Sequence, residues 1–559
     1  MNSYKFDNTN LIYTPKSQKN IGYRDGGEVF LKKIFQSDID KSTLSDSLID
    51  FMKDWPSEYH LSRKRHLILR PFNIKPGDKV LELGCGCGAI TRYLGEIGAE
   101  VVAVEGELER ASVAANRCKD LPNVKVVADN ILELNLTEKF DWILFIGVFE
   151  YSQKYGKTNN RQAEYLDIVK KHLATDGTLL IAIENKLGIK YLNGAGEDHN
   201  GIKNYGIQDL YTSNDVTTWG KEELKEILHT AGFSSNKFYG VFPDYKLPKV
   251  IFSEEISAHR NFRAEELVLS MKSLDYQGNN TRQFEESLLL SSLRKNGLMI
   301  DFSNSFLIEA KLSQSPKATD SPLAYYFSID RKKDFCTSTT FEISPDGEIK
   351  TSKKYLLEDN SIRKEYRKKI KTKDDKSIEI VQLISTNSDE YLSDRLMAFD
   401  FTLATHRKNI HQAVAILNSW SDYLISNYQL FDRATDEKLS KAHIGGRDLS
   451  SIMIEGTTLD CGLHNVVHGS TMEAFDLEWV ALNPIPLSWV LTRSARQVLR
   501  LGFGQPQMIS ISEVVGLLSD HLGLIARSDD IQEANHLETE FVTGIPHIEP
   551  SNKSEITIR

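Results

Sequence analysis

The stretch Lys79 to Glu105, KVLELGCGCGAITRYLGEIGAEVVAVE, constrains this chain more tightly than any other. It opens with an apolar run bounded by Gly77-Asp78 and Gly84, which predicts a short buried strand. Gly84, Gly86 and Gly88 then alternate through a turn that leads into a helical segment, Ala89 to Ile97. Glycine serves there because the backbone has to turn sharply and lie against a ligand with no side chain between them. A second apolar run, Glu100 to Val104, ends in the acid Glu105. A strand, a glycine turn, a helix and a second strand closing on a carboxylate make half of a nucleotide-binding α/β sheet. In such a sheet the turn and the helix N-terminus receive the polar end of the ligand, and the carboxylate accepts from ribose hydroxyls.

The glycine spacing selects the ligand. A dinucleotide fingerprint reads G-x-G-x-x-G, with its last glycine one place later than here. Glu82-Leu83-Gly84-Cys85-Gly86-Cys87-Gly88 instead resembles motif I, E-x-G-x-G-x-G, of the class I S-adenosylmethionine-dependent methyltransferases. The resemblance implies a Rossmann-like α/β sheet with S-adenosyl-L-methionine as cofactor. It places Glu82, Gly84, Cys85, Gly86 and Gly88 in the cofactor turn and Glu105 on the ribose. The apolar run Val124 to Val127 leads into Ala128-Asp129-Asn130, where the family's acid meets the adenine amino group, so Asp129, with Asn130 beside it, carries over. Phe140 to Ile146, followed by Gly147-Val148-Phe149-Glu150-Tyr151, is similar to the family's motif IV region, which faces both cofactor and acceptor. Open parallel sheets bind ligands outside the carboxyl ends of their strands, so Gly84, Glu105, Asp129 and Gly147 are expected to converge on one crevice.

A fifth strand, Thr178 to Ile183, ends in the loop Glu184-Asn185-Lys186-Leu187-Gly188-Ile189-Lys190-Tyr191, continuing to Gly194-Ala195-Gly196-Glu197-Asp198-His199. This loop is too polar and too glycine-rich for a core element, and strand-end loops carry acceptor specificity. Phe238 to Phe242 and Val250 to Ser253 read as the final strands, so the sheet is expected to close near Ser253. ENKLGIKYLNGAGEDH and the later FPDYKLP resemble methyltransferases of bacterial surface-polysaccharide and O-antigen biosynthesis. That resemblance implies a saccharide or glycan-linked acceptor and polysaccharide-assembly glycosyltransferases as partners. Methyl transfer from a sulfonium is an in-line displacement that needs a positioned acceptor and, for a hydroxyl, a base. The sulfonium supplies its own electrophile, so no metal is assigned. His199 is the first candidate base, with Glu150 and Asp198 behind it. An acceptor already ionised, such as a phosphate, needs no base; Lys186 or Lys190 would then clamp the anion, with Tyr191 beside them. Before motif I, Tyr59, His60 and Arg63 either meet the methionine carboxylate or form a solvated charged face.

At 559 residues the chain exceeds one ordinary core. The expected organisation is an N-terminal extension (1–50), a methyltransferase domain (51–255), a helical connector (256–298), an α+β domain (299–527) and a polar tail (528–559). A net charge of −10 argues against broad nucleic-acid binding. Five cysteines, of which only Cys85 and Cys87 lie close together, suggest neither a disulfide framework nor a zinc site. With no bilayer-length apolar run and a polar N-terminus, the expected location is the cytoplasm, with any membrane contact peripheral at the inner face.

In the second half, Leu459-Asp460-Cys461-Gly462-Leu463-His464-Asn465 and the later Phe475-Asp476-Leu477-Glu478-Trp479 resemble the catalytic loop and metal-binding segment of protein-kinase-like and aminoglycoside-kinase-like phosphotransferases. The resemblance implies Asp460 as the hydroxyl-positioning acid and Asn465 with Asp476 as holders of magnesium, hence Mg-ATP as a second cofactor. Thr458-Leu459 replaces the usual His-Arg or His-Gly, and no glycine follows Asp476. Three readings therefore stand open: a methyltransferase carrying a degenerate kinase-like scaffold, a bifunctional methyltransferase-kinase, and a methyltransferase whose second half binds glycan or protein without catalysis.

Overall fold

A computed structural model describes residues 3–15, 26–276, 278, 282–312, 322–357, 366–384, 389–501, 510–543 and 545. Its central feature is a fourteen-stranded sheet. Thirteen of its strands, in chain order, are β1 (Tyr4–Asp7), β2 (Ile12–Pro15), β3 (Lys79–Leu83), β4 (Glu100–Glu105), β5 (Val124–Ala128), β6 (Phe140–Ile146), β7 (Leu173–Glu184), β8 (Ser235–Phe242), β9 (Val250–Ser253), β10 (Ser305–Lys311), β11 (Ala324–Ser328), β12 (Thr337–Ile343) and β13 (Ile349–Tyr355). The spatial order is β1-β2-β5-β4-β3-β6-β7-β10-β8-β9-β11-β12-β13, with Asp389–Glu390 at the far edge. Strands β5, β4, β3, β6 and β7 run parallel, and β10 lies antiparallel to both β7 and β8. Their near-continuous burial is what a sheet covered on both faces requires: Leu81, Leu83, Val104, Ile143, Phe145 and Ile181 are all fully enclosed.

Three expectations change. First, the sheet does not close at Ser253. The strand Phe306 to Ala310, expected in the second domain, is β10, inserted between β7 and β8 with Leu307 opposite both Ala182 and Tyr239. Its six leading residues are buried, so it reads as an interior strand of any sheet, and sequence distance alone misassigned it. Strand β9 then pairs with β11, and the β12–β13 hairpin turns at Pro345-Asp346-Gly347. Second, the N-terminal region carries the β1–β2 hairpin as well as the helix Glu28–Gln36; Tyr13 pairs in parallel with Val127 of β5 and extends the sheet. Third, Ser528–Val542 is a helix and not a polar tail. Ala534, Leu537 and Phe541 recur at helical spacing and are buried, and Trp489 Nε1 donates to Glu538 Oε2 at 2.9 Å. Residues 546–559 of the expected tail lie outside the described residues.

The second half packs helices Met397–His406, Ile410–Asn427, Leu487–Leu501 and Ile511–His521 around the enclosed Trp420 and Trp489. Among the described residues no helix is long and apolar enough to cross a membrane.

Candidate functional site

The turn after β3 shows why glycine recurs there. Gly84, Gly86 and Gly88 have φ of +80°, +56° and +77°. A Cβ on Gly88 would lie 2.9 Å from the Ala114 Cα, and one on Gly84 would lie 2.4 Å from Val148 Cγ2. The left-handed backbone and the close approach both exclude side chains. Gly84 and Cys85 donate their N–H groups to the Val104 carbonyl, tying the turn to β4. At the end of β4, Glu105 accepts from Gly86 N at 2.8 Å and from Glu107 N at 3.0 Å, which orients its carboxylate and leaves further lone pairs on its oxygens. Glu82 faces inward instead: Thr91 Oγ1 donates to it at 2.6 Å, and burial raises its carboxyl to about 8. Burial likewise pushes the Cys85 thiol well above its ordinary value.

At the end of β5, Asp129 accepts from Tyr4 Oη at 2.7 Å and from Asn130 N at 2.8 Å. The Asn130 side chain caps the following turn by accepting from Leu132 N. The N-terminal hairpin, which sequence reading left without chemistry, thus supplies a hydroxyl to the acid expected at adenine. Gly147, at φ +70°, lies against the Tyr245 hydroxyl. Tyr245 in turn donates to Glu184 Oε1 at 3.2 Å, so the glycine crevice adjoins a second, charged group of side chains.

That group joins the turn after β6, the end of β7 and the loop beyond it. Glu150, Glu184 and His199 each bring one candidate ligand atom to within 4.8 Å of the other two. Glu150 and Glu184 are buried, and an Oε2 of each has no hydrogen-bond partner among the described residues. Burial, then the neighbouring Glu184, raises the Glu150 carboxyl to about 8. For Glu184 burial is outweighed by Lys246, which holds it below its ordinary value. Burial also works against a charged His199, but the Glu197 hydrogen bond and the charges of Glu184, Glu197 and Glu150 prevail and raise the imidazole to about 9. His199 Nδ1 lies 2.8 Å from Glu197 Oε1. Asp198 lies 2.9 Å from Lys190 Nζ and 2.6 Å from Lys246 Nζ; these two ammonium groups overcome its burial and hold it well below the usual carboxylate range. Tyr276 closes the group, donating to Asp244 and packing against Trp55 with ring centroids 4.1 Å apart and ring planes tilted by 40°.

The structure therefore brings Glu150, Asp198 and His199 together and separates the two lysines. Lys190 points inward onto Asp198, with its Nζ 5.0 Å above the buried Tyr191 ring. Lys186 faces away and is paired with Asp209 at 3.1 Å and Glu223 at 2.7 Å, so the expected anion clamp is already neutralised. Arg63, read either as meeting the methionine carboxylate or as part of a solvated charged face, is enclosed and bonded to the Arg331 carbonyl at 2.6 Å and to Asp46 at 2.6 Å, so it does not lie on a solvated face. Sequence reading missed Lys246 and Tyr245, whose signal was the aromatic and basic FPDYKLP segment some sixty residues past Glu184.

In the second half, Asn465 Nδ2 donates to the Asp460 carbonyl at 2.9 Å and approaches the Asp476 carbonyl at 3.4 Å. Lys353 Nζ on β13 sits 2.5 Å from Asp476 Oδ1 and 3.0 Å from Glu478 Oε2. Asp460 instead faces Arg493, at 3.4 Å.

Residues 51–266 match the family model described as mycolic acid cyclopropane synthetase. A cyclopropane-fatty-acyl-phospholipid synthase of Escherichia coli (strain K12) is 30% identical over 119 residues, covering 21% of this chain and 29% of that protein. This segment is a class I S-adenosylmethionine-dependent methyltransferase domain. A ribosomal RNA small subunit methyltransferase A of Clostridioides difficile (strain 630) is 35% identical over 71 residues, 13% of this chain and 25% of that protein. The chain thus spans under a third of the length of these curated relatives. Among solved structures, phosphoethanolamine N-methyltransferase 2 of Haemonchus contortus with S-adenosyl-L-methionine is 18% identical, covering 54% of this chain and 62% of that one at a TM-score of 0.29. The family match to the methyltransferase domain ends at residue 266 and does not reach Asp460, Asn465 or Asp476.

Proposed function

We propose that this protein transfers a methyl group from S-adenosyl-L-methionine to a hydroxyl of a polar acceptor, a saccharide or glycan-linked group. The observation that carries the reading is the pair of buried, unpartnered carboxylate oxygens on Glu150 and Glu184 beside the Gly147 end of the cofactor crevice. Such oxygens take hydroxyl hydrogen bonds and leave a purely hydrocarbon acceptor without a partner for them. The cyclopropane-fatty-acyl-phospholipid synthase relative acts, by its name, on a fatty-acyl phospholipid. The charged group described here favours a different acceptor.

In the reaction the acceptor oxygen attacks the sulfonium methyl in line, the S–CH₃ bond breaks toward sulfur, and the hydroxyl proton passes to a carboxylate. Glu150 suits that last role better than His199. A group titrating near 8 is partly deprotonated at neutral pH and basic enough to accept, whereas an imidazole raised to about 9 is already protonated and donates. The test is mass-spectrometric detection of methyl transfer from labelled S-adenosylmethionine to a panel of saccharides, lipids and RNA. Transfer to a saccharide hydroxyl, with Glu150→Gln lowering kcat by about 10²- to 10⁴-fold and leaving S-adenosylhomocysteine affinity intact, is the expected result. Transfer to an acyl chain or to RNA would refute it.

The Lys353–Asp476 contact favours a second reading for residues 299–527, a Mg-ATP site resembling that of the kinases. A shift of the unfolding midpoint with Mg-ATP, lost in Asp476→Ala, supports it. No shift leaves this half as a module that binds glycan or a glycosyltransferase partner.

A further inference from the structure

We propose that Glu150, Glu184 and His199 hold a divalent transition-metal ion between the cofactor crevice and the acceptor loop. The three residues come from three separate segments, so their convergence is a product of the fold and not of one acidic run. Their candidate ligand atoms lie within 4.8 Å of one another. On an ion with bonds of about 2.1 Å, three ligand atoms of a tetrahedral set sit about 3.4 Å apart, so side-chain rotation has to close the set by at most about 1.4 Å.

The atoms left free are the ones a metal needs. Glu150 and Glu184 are 1% and 0% exposed, and each keeps one Oε2 without a hydrogen-bond partner among the described residues. A buried carboxylate oxygen with no partner carries a desolvation penalty that a bound cation removes. The other oxygen of Glu184 is held by Tyr245 and Lys246, which fixes the carboxylate and leaves Oε2 facing away from them. His199 is arranged in the same manner. Its Nδ1 is bonded to Glu197 Oε1, and Glu197 Oε2 is itself held by the backbone N–H groups of His199 and Asn200. A carboxylate on one ring nitrogen fixes the tautomer and presents Nε2 to a metal, the usual outer-shell arrangement of a ligating histidine.

Charge points the same way. Glu150, Glu184, Glu197, Asp198 and Asp244 are five carboxylates gathered around two ammonium groups, Lys190 and Lys246. With Glu150 ionised and His199 neutral, the forms that ligate, the group carries an excess of three negative charges, most of which one divalent cation offsets; the ion thus also has to displace the proton that the raised Glu150 holds. Metal binding would displace the proton that His199 otherwise holds. Two carboxylates and one imidazole suit Mn²⁺, Fe²⁺, Co²⁺ or Zn²⁺ better than Mg²⁺ or Ca²⁺, which prefer an all-oxygen shell. With three protein ligands, coordination positions remain for the acceptor. A hydroxyl bound there loses its proton more readily, and this catalytic role rests on the methyl transfer proposed above. Binding of the ion itself does not.

The experiment uses the full chain, stripped with a chelator and titrated with Co²⁺, whose visible absorption reports its ligands. Expected are one equivalent bound, and affinity weakened at least about tenfold in each of Glu150→Gln, Glu184→Gln and His199→Ala. Calorimetric titration with S-adenosylhomocysteine, run on every metal-free sample, checks that the cofactor half is folded. The His199 side chain is 16% exposed, more than either glutamate, so His199→Ala remains informative if a buried-glutamate variant does not fold. Absence of Co²⁺ binding, or binding unchanged in His199→Ala, overturns the metal site. Either result alongside intact S-adenosylhomocysteine binding leaves the methyltransferase reading standing. Failure of S-adenosylhomocysteine to bind while Co²⁺ does would overturn that reading and not this one.

Discussion

Lys246 is the residue on which the charged group balances, and Lys246→Met is its most revealing perturbation. The ammonium group bridges Glu184 and Asp198, whose side chains are 0% and 4% exposed. Water screens neither, so the discount that applies to surface ion pairs is small here. Methionine keeps the stem's volume and removes only the charge. Asp198 retains Lys190, whereas Glu184 loses its one ammonium partner among the described ion pairs. Removing one partner of a buried pair costs about 3–5 kcal/mol, because the remaining charge stays desolvated. At about 2.1 cal/mol/K of unfolding entropy per residue, a cooperative unit of 559 residues moves by about 0.9 °C per kcal/mol, so a fall of about 3–4 °C is expected. Neutralising the stranded acid in Lys246→Met/Glu184→Gln should recover most of that loss, since both charges are then gone and the shape is kept. Differential scanning calorimetry at neutral pH, with S-adenosylhomocysteine binding measured beside it, reads the cycle. A single variant that loses less than about 1 kcal/mol, or a double variant no more stable than the single one, would refute the assignment of Lys246 as counter-ion to Glu184.

Gly88→Ala should destabilise more than Gly86→Ala: a Cβ at 88 meets the Ala114 backbone, while one at 86 meets only the movable Arg110 guanidinium, both at 2.9 Å. Strain at positive φ costs either variant about 1–2 kcal/mol, and urea midpoints should separate the two by the additional clash at 88. Above about pH 7, where His66, His172 and His464, lowered by burial, are neutral in both states, stability should fall as pH rises to about 9, because Glu82 and Glu150, raised to about 8, and His199, raised to about 9, all bind more protons folded than unfolded. Glu82→Gln, which keeps a partner for Thr91, should lose less of its urea midpoint between pH 6 and pH 9 than the parent; an equal loss would remove Glu82 from the account. A chain truncated after Leu298 lacks β10 and leaves β7 and β8 without their shared neighbour, so it should fail to give a cooperative unfolding transition, whereas a well-folded fragment would show that the methyltransferase sheet closes without it.

The cofactor turn was legible because its determinants are local. Three glycines at alternate positions force one backbone path, and the acid one strand later follows from strand length alone. Glu105 and Asp129 were readable for the same reason, as strand-end residues in a parallel sheet. The acceptor side was readable only as a list of polar residues. Lys186 and Lys190 stand four places apart in one loop, and nothing in their spacing says that one pairs with surface acids while the other is enclosed against Asp198. Naming His199 as first base failed to anticipate its neighbours: Glu150, Glu184 and Glu197 arrive from three segments, and their summed charge, not the imidazole itself, sets its protonation. Strand β10 was readable as a strand but not as a member of this sheet, since an apolar run buried on both faces carries no mark of its partners.

These misreadings share one physical origin, and it bears on how the two halves relate. Beyond β9 the sheet continues without a break through β11, β12 and β13, so the second half begins as an extension of the first. Side chains reinforce the continuity. Arg63, just before motif I, donates to the Arg331 carbonyl; Arg331 pairs with Glu478 at 2.6 Å; and Glu478 shares Lys353 with Asp476. Glu478, 3% exposed, is the member that burial makes dependent on both Arg331 and Lys353, whereas Asp476, 45% exposed, is screened by water. Through Glu478 and Arg331, the segment resembling a kinase metal loop is therefore tied by two consecutive contacts to Arg63, just before motif I. A boundary read from the local strand pattern at Ser253 cuts through this network because a local pattern records what each segment can form, whereas the network is made by pairing residues hundreds of positions apart.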